Sequence, residues 1–282
     1  DPVWTVSADA LFLNRSRLPS QNLLIIGLAP SLLNANDFDL PVQLGWQIDV
    51  TRRLCDDWSL DARYFNLGGQ SDSISTTFED SANLLVAQQP YFTNLAIYTS
   101  RLQSVELNAC RSLNDWLTVL AGIRYLNLDD RILVYEFAPG DFDGIFQLAG
   151  FNDLLGFQIG ADAHLLQQGP FSVNMFLKAG IYDDLARNAF AYDSIALADH
   201  YVNGASANNL AFCGELGITL TYDLTERLSI RGGYQLLWLD GVALASQQPL
   251  YGPTGPLDGQ VATGTNGDLF YNGAFAGLEY RF

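Results

Sequence analysis

The stretch GAFAGLEYRF, residues 273–282, alternates between apolar and polar side chains as far as the last residue of the chain. Successive side chains of a β-strand point to opposite faces, so the stretch predicts a strand whose two faces differ in polarity. Its apolar face carries Ala274, Ala276, Leu278, Tyr280 and Phe282, and its other face carries Glu279 and Arg281. A strand with one face that is apolar along its whole length needs an apolar environment outside the protein or a second layer.

The composition limits the classes of protein that could give the strand such an apolar environment. Only 16% of the 282 residues are charged, the net charge is −17, and Lys178 is the single lysine. Nucleic-acid binding is disfavoured because phosphates require basic patches. The longest apolar run, LLIIGLA at 23–29, is far shorter than the 18 or more residues, roughly, that a transmembrane helix needs. Few charges, many aromatic residues and no helical span are typical of a membrane β-barrel.

The same alternation recurs along the chain, most clearly in LPVQLGWQIDV (40–50), LGFQIGADAHL (155–165) and FSVNMFLKAGI (171–181). It predicts ten strands, at 3–13, 40–51, 58–67, 92–110, 116–128, 154–166, 171–182, 209–222, 227–239 and 269–282. Each is as long as the roughly 9–11 residues with which a tilted strand crosses a bilayer. Twelve strands are the alternative, because the apolar segments 23–33 and 82–92 could each hold another strand. We otherwise expect these two segments to form a lid or plug, or an oligomer contact.

The connections between the predicted strands alternate in length. Short ones contain RRLCDDW, RSLNDW, QQGP and DLTERL, and long ones cover 14–39, 68–91, 129–153, 183–208 and 240–268. Outer-membrane barrels combine short periplasmic turns with long extracellular loops. The sequence therefore predicts an all-β fold, a transmembrane antiparallel up-and-down β-barrel that forms one domain over residues 1–282.

Aromatic residues recur near the ends of the predicted strands, as expected for rings that lie at a membrane interface. The predicted aromatic girdle consists of Trp4, Trp58, Trp116, Tyr280 and Phe282 at the short-turn end and Trp238 at the other end.

Two segments resemble known proteins. The ending LEYRF (278–282) resembles the assembly signal of bacterial outer-membrane proteins, and YDLTERLSIRGGYQLLWLDGVALASQQ (222–248) resembles a segment of β-barrel porins of planctomycete bacteria. The resemblance implies a location in the bacterial outer membrane, contact with outer-membrane lipid, and recognition of the last strand by the barrel assembly machinery. The beginning, DPVWTVSADA, lacks the features of a signal peptide, and we expect that peptide to have been removed already.

The polar faces of the predicted strands carry charges of both signs. We predict a lumen network of Asp9, Asp49, Asp61, Arg63, Glu106, Arg124, Asp162, His164, Lys178, Glu215, Arg231, Glu279 and Arg281. Ten strands enclose only a modest interior, so we expect this network to leave at most a narrow water path. The predicted function is porin-like, passive diffusion of small cationic or neutral solutes through a narrow polar lumen.

The five long connections hold most of the negative charge, with eighteen Asp or Glu residues against four Arg residues. This acidic rim suggests a second function, a structural or adhesive barrel whose outer loops bind divalent cations or a surface-layer partner. A homo-oligomer is a further partner prediction. Asp141 and Asp143, in PGDFDG, have part of the spacing of a calcium loop, and calcium is the only cofactor that the sequence suggests.

The remaining reactive residues give little sign of catalysis. Only two histidines are present, and no G-x-S-x-G, H-E-x-x-H or phosphate-binding motif occurs, so we predict that the protein is not an enzyme. Cys55 and Cys110 fall at the same end of neighbouring hairpins, which would allow a disulfide, although free thiols are the default expectation.

Overall fold

The computed structural model describes residues 3–20, 22–24, 33–79, 91–138, 141–194, 199–248 and 263–282. The strands are β1 (Trp4–Arg15), β2 (Asn22–Leu24), β3 (Leu33–Asn34), β4 (Gln43–Arg53), β5 (Trp58–Glu79), β6 (Tyr91–Asn114), β7 (Leu117–Ala138), β8 (Asp141–Gln168), β9 (Phe171–Ser194), β10 (Asp199–Asp223), β11 (Leu228–Val242) and β12 (Gly267–Arg281). Two 3₁₀ helices cover Ala35–Asp37 and Ala245–Gln247. Neither helix in this part of the chain is long and apolar enough to cross a membrane.

Ten of these strands, β1 and β4 to β12, form one closed antiparallel barrel in which each strand pairs with its neighbours in the chain. The barrel closes where β1 pairs with β12, from Thr5 opposite Arg281 to Arg15 opposite Tyr271. The strand count and the antiparallel up-and-down topology predicted from the sequence are confirmed. β2 and β3 form a separate two-stranded hairpin, so they do not raise the barrel to twelve strands.

A continuous belt of apolar side chains, called here the apolar belt, surrounds the outside of the barrel. Its most exposed members include Phe157, Ile159, Ile181 and Leu44, which are exposed by 64–77%. On β7, β8 and β9 the belt occupies 117–125, 155–165 and 171–181, and the next outward-facing residues are Asn127, Asp153 and Asp183. These lengths match the roughly 9–11 residues of a tilted membrane-spanning strand. The belt therefore has the dimensions and polarity of a lipid-facing surface.

Aromatic side chains lie at both edges of the apolar belt. All members of the predicted girdle are exposed: Trp4, Trp58, Trp116, Trp238, Tyr280 and Phe282. Trp116 differs from the others because it lies in the turn before β7 and lines the interior cavity. Guanidinium groups lie over two of the tryptophan rings at the short-turn end, Arg52 over Trp4 at 5.2 Å and Arg111 over Trp58 at 5.5 Å. This arrangement places rings and cations together at the level where a bilayer has its polar interface.

Three of the predicted long loops are mostly strand. β5 to β10 contain 22–28 residues each and continue well beyond the apolar belt as a paired six-stranded sheet, called here the outer sheet (66–79, 91–103, 127–138, 141–153, 183–194 and 199–208). β7 and β8 are separated by only residues 139–140. The prediction of long loops was wrong here because the outward-facing side chains become polar above the belt. On β5 these are Ser71, Ser73, Ser75 and Thr77, residue types that are common in turns.

The interior contains two apolar clusters that the sequence did not predict. The inner cluster lies inside the barrel, at the level of the outer edge of the belt. It includes Leu11, Phe65, Leu126, Leu154, Leu237 and Tyr271. The outer cluster lies inside the outer sheet and includes Leu18, Leu33, Phe38, Tyr98, Ile132, Val134 and Phe146. The interior is thus polar near the short turns and largely apolar farther out, whereas a polar lumen was expected throughout.

The chain that follows β11 enters the barrel instead of passing over its rim. Gly241 has a φ of +81°, a conformation that glycine adopts without strain, and residues 242–248, buried except for the half-buried Gln247, follow it. Val242, Ala243, Leu244 and Ala245 are 0% exposed. We call residues 242–248 the lumen segment, and its Val242 and Leu244 belong to the inner cluster.

The predicted lid segments are described only in part. Leu33 packs into the outer cluster together with Ala35 and Phe38 of the following 3₁₀ helix, so the end of the first segment does cover the interior. Residues 25–32 of that segment and 82–90 of the second lie outside the described residues.

Candidate functional site

Five charged side chains meet in the centre of the barrel and form the ionic cluster: Arg63, Glu106, Arg124, Lys178 and Glu215. The carboxylate of Glu215 binds Nη1 of Arg63 and, at 2.9 Å, Nη1 of Arg124. Glu106 binds Nζ of Lys178 at 2.8 Å and lies 3.5 Å from Nη1 of Arg124. The five side chains are at most 8% exposed, so each charge depends on its partners for stabilisation.

Strand register explains why these charges meet. Arg63, Glu106 and Arg124 are directly opposite one another on β5, β6 and β7, and Lys178 is opposite Glu215 on β9 and β10. Side chains of directly paired residues lie on the same face of a sheet, within about 4.5–5.5 Å at Cβ. Opposite charges therefore alternate across β5, β6 and β7 and across β9 and β10.

A second group of charges lies closer to the short turns. Nε of Arg231 is 3.4 Å from Oδ1 of Asp9, and Nη1 of Arg231 is 3.7 Å from Oε2 of Glu279. Arg281 binds Glu279 at 2.9 Å. Asp49 lies 3.6 Å from Nε of Arg63 and connects this group to the ionic cluster.

The other three predicted lumen residues also face inward but form no ion pair in the described part of the chain. Asp61 accepts hydrogen bonds from Thr51 at 3.1 Å and from Asn108 at 3.2 Å. Nδ1 of His164 lies 2.7 Å from Oδ1 of Asn174. Asp162 lies on the wall of the cavity described below.

A buried ion pair outside the apolar belt was not predicted, because both residues had been assigned to loops. Nη1 of Arg15 binds Oδ1 of Asp130 at 2.7 Å, and the hydroxyl groups of Tyr98 and Ser100 also contact Arg15. Burial raises the pKa of Asp130, while Arg15 and a hydrogen bond from the backbone of Ala245 oppose the increase. The continued alternation of β7 beyond Arg124 was the signal that could have placed Asp130 in the interior.

Asn152 and Asp130 fix the lumen segment in place. The backbone N–H of Ala243 donates to Oδ1 of Asn152 at 2.6 Å, and Nδ2 of Asn152 donates to the carbonyl of Ala243 at 2.9 Å. The backbone N–H of Ala245 donates to Oδ2 of Asp130 at 2.9 Å. Side chains of the barrel wall therefore satisfy backbone groups that would otherwise be buried without partners.

A cavity of 570 Å³ lies at the short-turn end of the interior. Its lining begins at Asp115 and Trp116, in the turn before β7, and reaches Arg63 and Lys178 of the ionic cluster. The inner apolar cluster, which is buried, lies beyond the ionic cluster. In the described part of the chain, the cavity therefore lies on the short-turn side of the ionic cluster and of the inner apolar cluster.

The remaining predicted sites have different outcomes. The structure has no disulfide between Cys55 and Cys110: Cys55 is free on an exposed turn, and Cys110 is free and faces the interior. Asp141 and Asp143 belong to the first residues of β8, but their side chains lie outside what the structure describes. The described residues contain no group of three or more potential metal ligands. His200 lies 3.9 Å from Asp193, and both side chains are more than 60% exposed.

No family model and no curated protein matches this chain. Among solved structures, it is similar to the outer membrane protease OmpT from Escherichia coli, with 8% identity over 99% of this chain and 96% of that chain and a TM-score of 0.49. The translocator domain of the autotransporter NalP from Neisseria meningitidis has 9% identity over 100% of this chain and 89% of that chain, with a TM-score of 0.48. At these scores no activity is transferred from either protein, and the absence of enzymatic activity stays a prediction.

Proposed function

We propose that this protein is a bacterial outer-membrane barrel with a closed lumen, and that its role is structural or adhesive. The apolar belt with aromatic edges supports the location, because a closed barrel presents such a surface to lipid. The observation that carries the role is the filling of the interior. The ionic cluster is followed along the barrel by the inner apolar cluster, which includes Val242 and Leu244 of the lumen segment, and the side chains of both clusters are buried.

The outer sheet provides the surface for contact. Its outward-facing carboxylates include Asp129, Asp153, Asp183 and Asp193, and Asp240 and Asp268 lie beside it on β11 and β12. Arg131 and Arg187 neutralise the first two, at 3.3 and 2.6 Å, so the other four remain available as anions. Carboxylate oxygens are the ligands that Ca²⁺ prefers. We infer that divalent cations bridge this surface to anionic groups on a neighbouring surface, and the calcium prediction for Asp141 and Asp143 belongs to the same proposal.

The test compares two sets of substitutions in the purified barrel reconstituted into liposomes. Ca²⁺ should bind these liposomes to a second population made of phosphatidylglycerol, and EDTA should release them. Changing Asp183, Asp193, Asp240 and Asp268 together to Asn should remove more than half of the Ca²⁺-dependent binding. The matched variant, Asp56→Asn with Asp57→Asn at the short-turn end, should bind as the wild type does. Equal binding by both variants would contradict a role for the outer carboxylates.

A second candidate is passive diffusion of small cationic or neutral solutes, the role that the resemblance of 222–248 to planctomycete porins suggests. One observation favours this role. The side chains of Asn152 and Asp130 form hydrogen bonds with the backbone of the lumen segment, so the segment is held by these bonds as well as by packing. Wild-type protein in a planar bilayer should show no conductance steps if the barrel is closed. Asn152→Leu removes both bonds to Ala243 and should open the lumen if the segment is a gate, whereas Asn127→Leu, on the outward face, should not. Conductance steps in the wild type would favour passive diffusion. If neither variant shows conductance steps, the lumen segment is not a gate that Asn152 holds shut.

A further inference from the structure

Two arginines at the short-turn edge of the apolar belt lie over tryptophan rings. Trp4 of β1 is directly opposite Arg52 of β4, and Trp58 of β5 is directly opposite Arg111 of β6. The guanidinium carbons lie 5.2 and 5.5 Å from the ring centroids. All four residues are exposed. The same arrangement of ring and cation therefore occurs twice, and we call these two arrangements the stacked pairs.

The stacked pairs are on the outside of the barrel. Thr51 and Cys110, which precede the two arginines, line the interior cavity. Because successive side chains of a strand point to opposite faces, Arg52 and Arg111 point outward. Aromatic rings and cations at the edge of a membrane-facing surface lie at the depth of the lipid headgroups.

The two arginines have hydrogen-bond donors to spare. Neither Arg52 nor Arg111 forms an ion pair with an Asp or Glu in the part of the chain that the structure describes. An aromatic ring attracts the charge of a guanidinium but accepts no conventional hydrogen bond, so the N–H groups stay available. The planar fork of a guanidinium matches the oxygen atoms of a phosphate, which it binds through two parallel hydrogen bonds.

The outward-facing arginines at the opposite edge of the belt differ from the stacked pairs. Nη2 of Arg131 lies 3.3 Å from Asp129, and Nη2 of Arg187 lies 2.6 Å from Asp153. Their charges are already compensated within the protein. At the short-turn edge the compensating anion has to come from outside, and at the depth of the headgroups it is the phosphate of a lipid.

The charges around the stacked pairs indicate which headgroup fits. Asp57 lies beside the strand of Arg111, since its carbonyl accepts a hydrogen bond from the backbone of Ser112 at 2.8 Å. An equal number of positive and negative charges surrounds the pairs, so no positive excess favours an anionic lipid. Apart from the lumen network, the described charged residues at the short-turn ends of β1, β4, β5 and β6 and in the turns that follow are Arg52, Arg53, Arg111, Asp56, Asp57 and Asp115. A headgroup that carries one phosphate and one ammonium matches this balance.

We propose that each stacked pair binds the headgroup of one zwitterionic phospholipid with a primary ammonium group, in the leaflet at the short-turn end. The guanidinium binds the phosphate, and the carboxylates of Asp56 and Asp57 in the adjoining turn accept hydrogen bonds from the ammonium. The proposal rests on the membrane location proposed above, but not on the role of the outer sheet.

The experiment is native mass spectrometry of the folded full chain in detergent, with phosphatidylethanolamine as the probe. Phosphatidylcholine and phosphatidylglycerol with the same acyl chains are added in separate titrations. We expect two phosphatidylethanolamine molecules to bind at saturation. Phosphatidylcholine should bind about tenfold more weakly, because its ammonium has no N–H group to donate to a carboxylate. Phosphatidylglycerol should also bind more weakly, since it has no ammonium group.

Two sets of variants separate the stacked pairs from the other arginines. Arg52→Gln and Arg111→Gln should each lose one of the two lipids, and the double variant should lose both. The matched double variant at the opposite edge, Arg131→Gln with Arg187→Gln, should retain both lipids. Because Arg52 and Arg111 are exposed, their substitution should leave the barrel folded, and a gel-mobility assay checks this.

Flotation of the wild type with liposomes tests the membrane location separately. A barrel that does not float with the liposomes would refute the location. A barrel that floats but binds no headgroup in the titrations would refute only the two lipid sites.

Four results would overturn the proposal. The first is no saturable binding of phosphatidylethanolamine by the wild type. The second is retention of both lipids by the Arg52→Gln, Arg111→Gln double variant. The third is tighter binding of phosphatidylglycerol than of phosphatidylethanolamine, which would make the stacked pairs sites for an anionic lipid. The fourth is release of both lipids by sodium phosphate, which would make them sites for the free anion.

Discussion

Replacing Glu215 by Gln tests whether the ionic cluster stabilises the barrel. Glu215 is 3% exposed and binds both Arg63 and Arg124. When the charge of Glu215 is removed, the guanidinium groups of Arg63 and Arg124 still lie 3.7 and 3.5 Å from the carboxylate of Glu106. Glu106 also binds Nζ of Lys178. Three buried cations would then share Glu106, and Asp49, 3.6 Å from Nε of Arg63 and 20% exposed, would be the other close carboxylate. Removing one partner from a buried ion pair costs about 3–5 kcal/mol, so the equilibrium constant for unfolding should rise by roughly two to three and a half orders of magnitude.

The assay is urea unfolding of the barrel refolded in detergent, followed by tryptophan fluorescence and by the gel mobility of folded and unfolded forms. The double variant Glu215→Gln, Arg124→Gln restores the charge balance of the cluster and should recover part of the loss. Glu279→Gln is the matched control, because Glu279 also contacts two arginines but its side chain is 16% exposed. We expect it to cost about 1 kcal/mol or less, since solvent screens partly exposed pairs.

The reasoning fails if Glu215→Gln costs less than about 1 kcal/mol, which would mean that the buried arginines do not need this carboxylate. It fails equally if the effects of Glu215→Gln and Arg124→Gln add within about 0.5 kcal/mol, because residues in direct contact should be coupled.

Three further predictions concern other parts of the barrel. Burial raises the pKa of Asp184, beyond the apolar belt, to about 7, and the charges of Asp153 and Asp183 contribute to the increase. The folded state then binds more protons than the unfolded chain, so this group's contribution to stability falls from about pH 4 to pH 7. Asp184→Asn should flatten that slope in urea unfolding, and an unchanged slope would contradict the assignment. A β-carbon on Gly233 would overlap the backbone carbonyl oxygen of Ile218, so Gly233→Ala should cost about 1–3 kcal/mol. Gly68→Ala, whose nearest neighbour would be 3.3 Å away, should cost less, and similar costs would refute the steric explanation. Maleimide should label Cys55 alone in the folded barrel and all three thiols after unfolding without reductant, because Cys110 and Cys213 are buried. A single label after unfolding would instead indicate a disulfide.

The membrane-spanning half of the fold could be predicted because lipid imposes a rule that is visible in the sequence. In FSVNMFLKAGI the apolar residues at odd positions face outward and Lys178 faces inward, as the alternation predicts. The charges of the ionic cluster could be assigned to the interior for the same reason. Their pairing could not, because it depends on which strands are neighbours and on the register between them.

The outer sheet and the apolar clusters were missed because the rule changes at the edge of the belt. On β7, Leu126 and Leu128 face inward while Asn127 and Asp129 face outward, so the apolar and polar faces exchange roles. Each strand crosses from a membrane pattern to that of a soluble sheet without a break in its backbone. If each face of a strand is expected to keep the same polarity along its whole length, this exchange looks like the end of the strand. The lumen segment was missed because small apolar residues such as Ala243 and Ala245 show no periodicity of their own.

The long ladders of the outer sheet determine how the barrel would bear a mechanical load. The pairing of β9 with β10 runs from Phe171 opposite Tyr222 to Ser194 opposite Asp199, the whole length of both strands. A pull on the far end of the sheet acts along the strands and loads many backbone hydrogen bonds at once, in shear. A flexible loop would extend first and pass on little of that force. The barrel and its outer sheet therefore form one stiff lever, and the lipid around the belt bears the force applied at its tip.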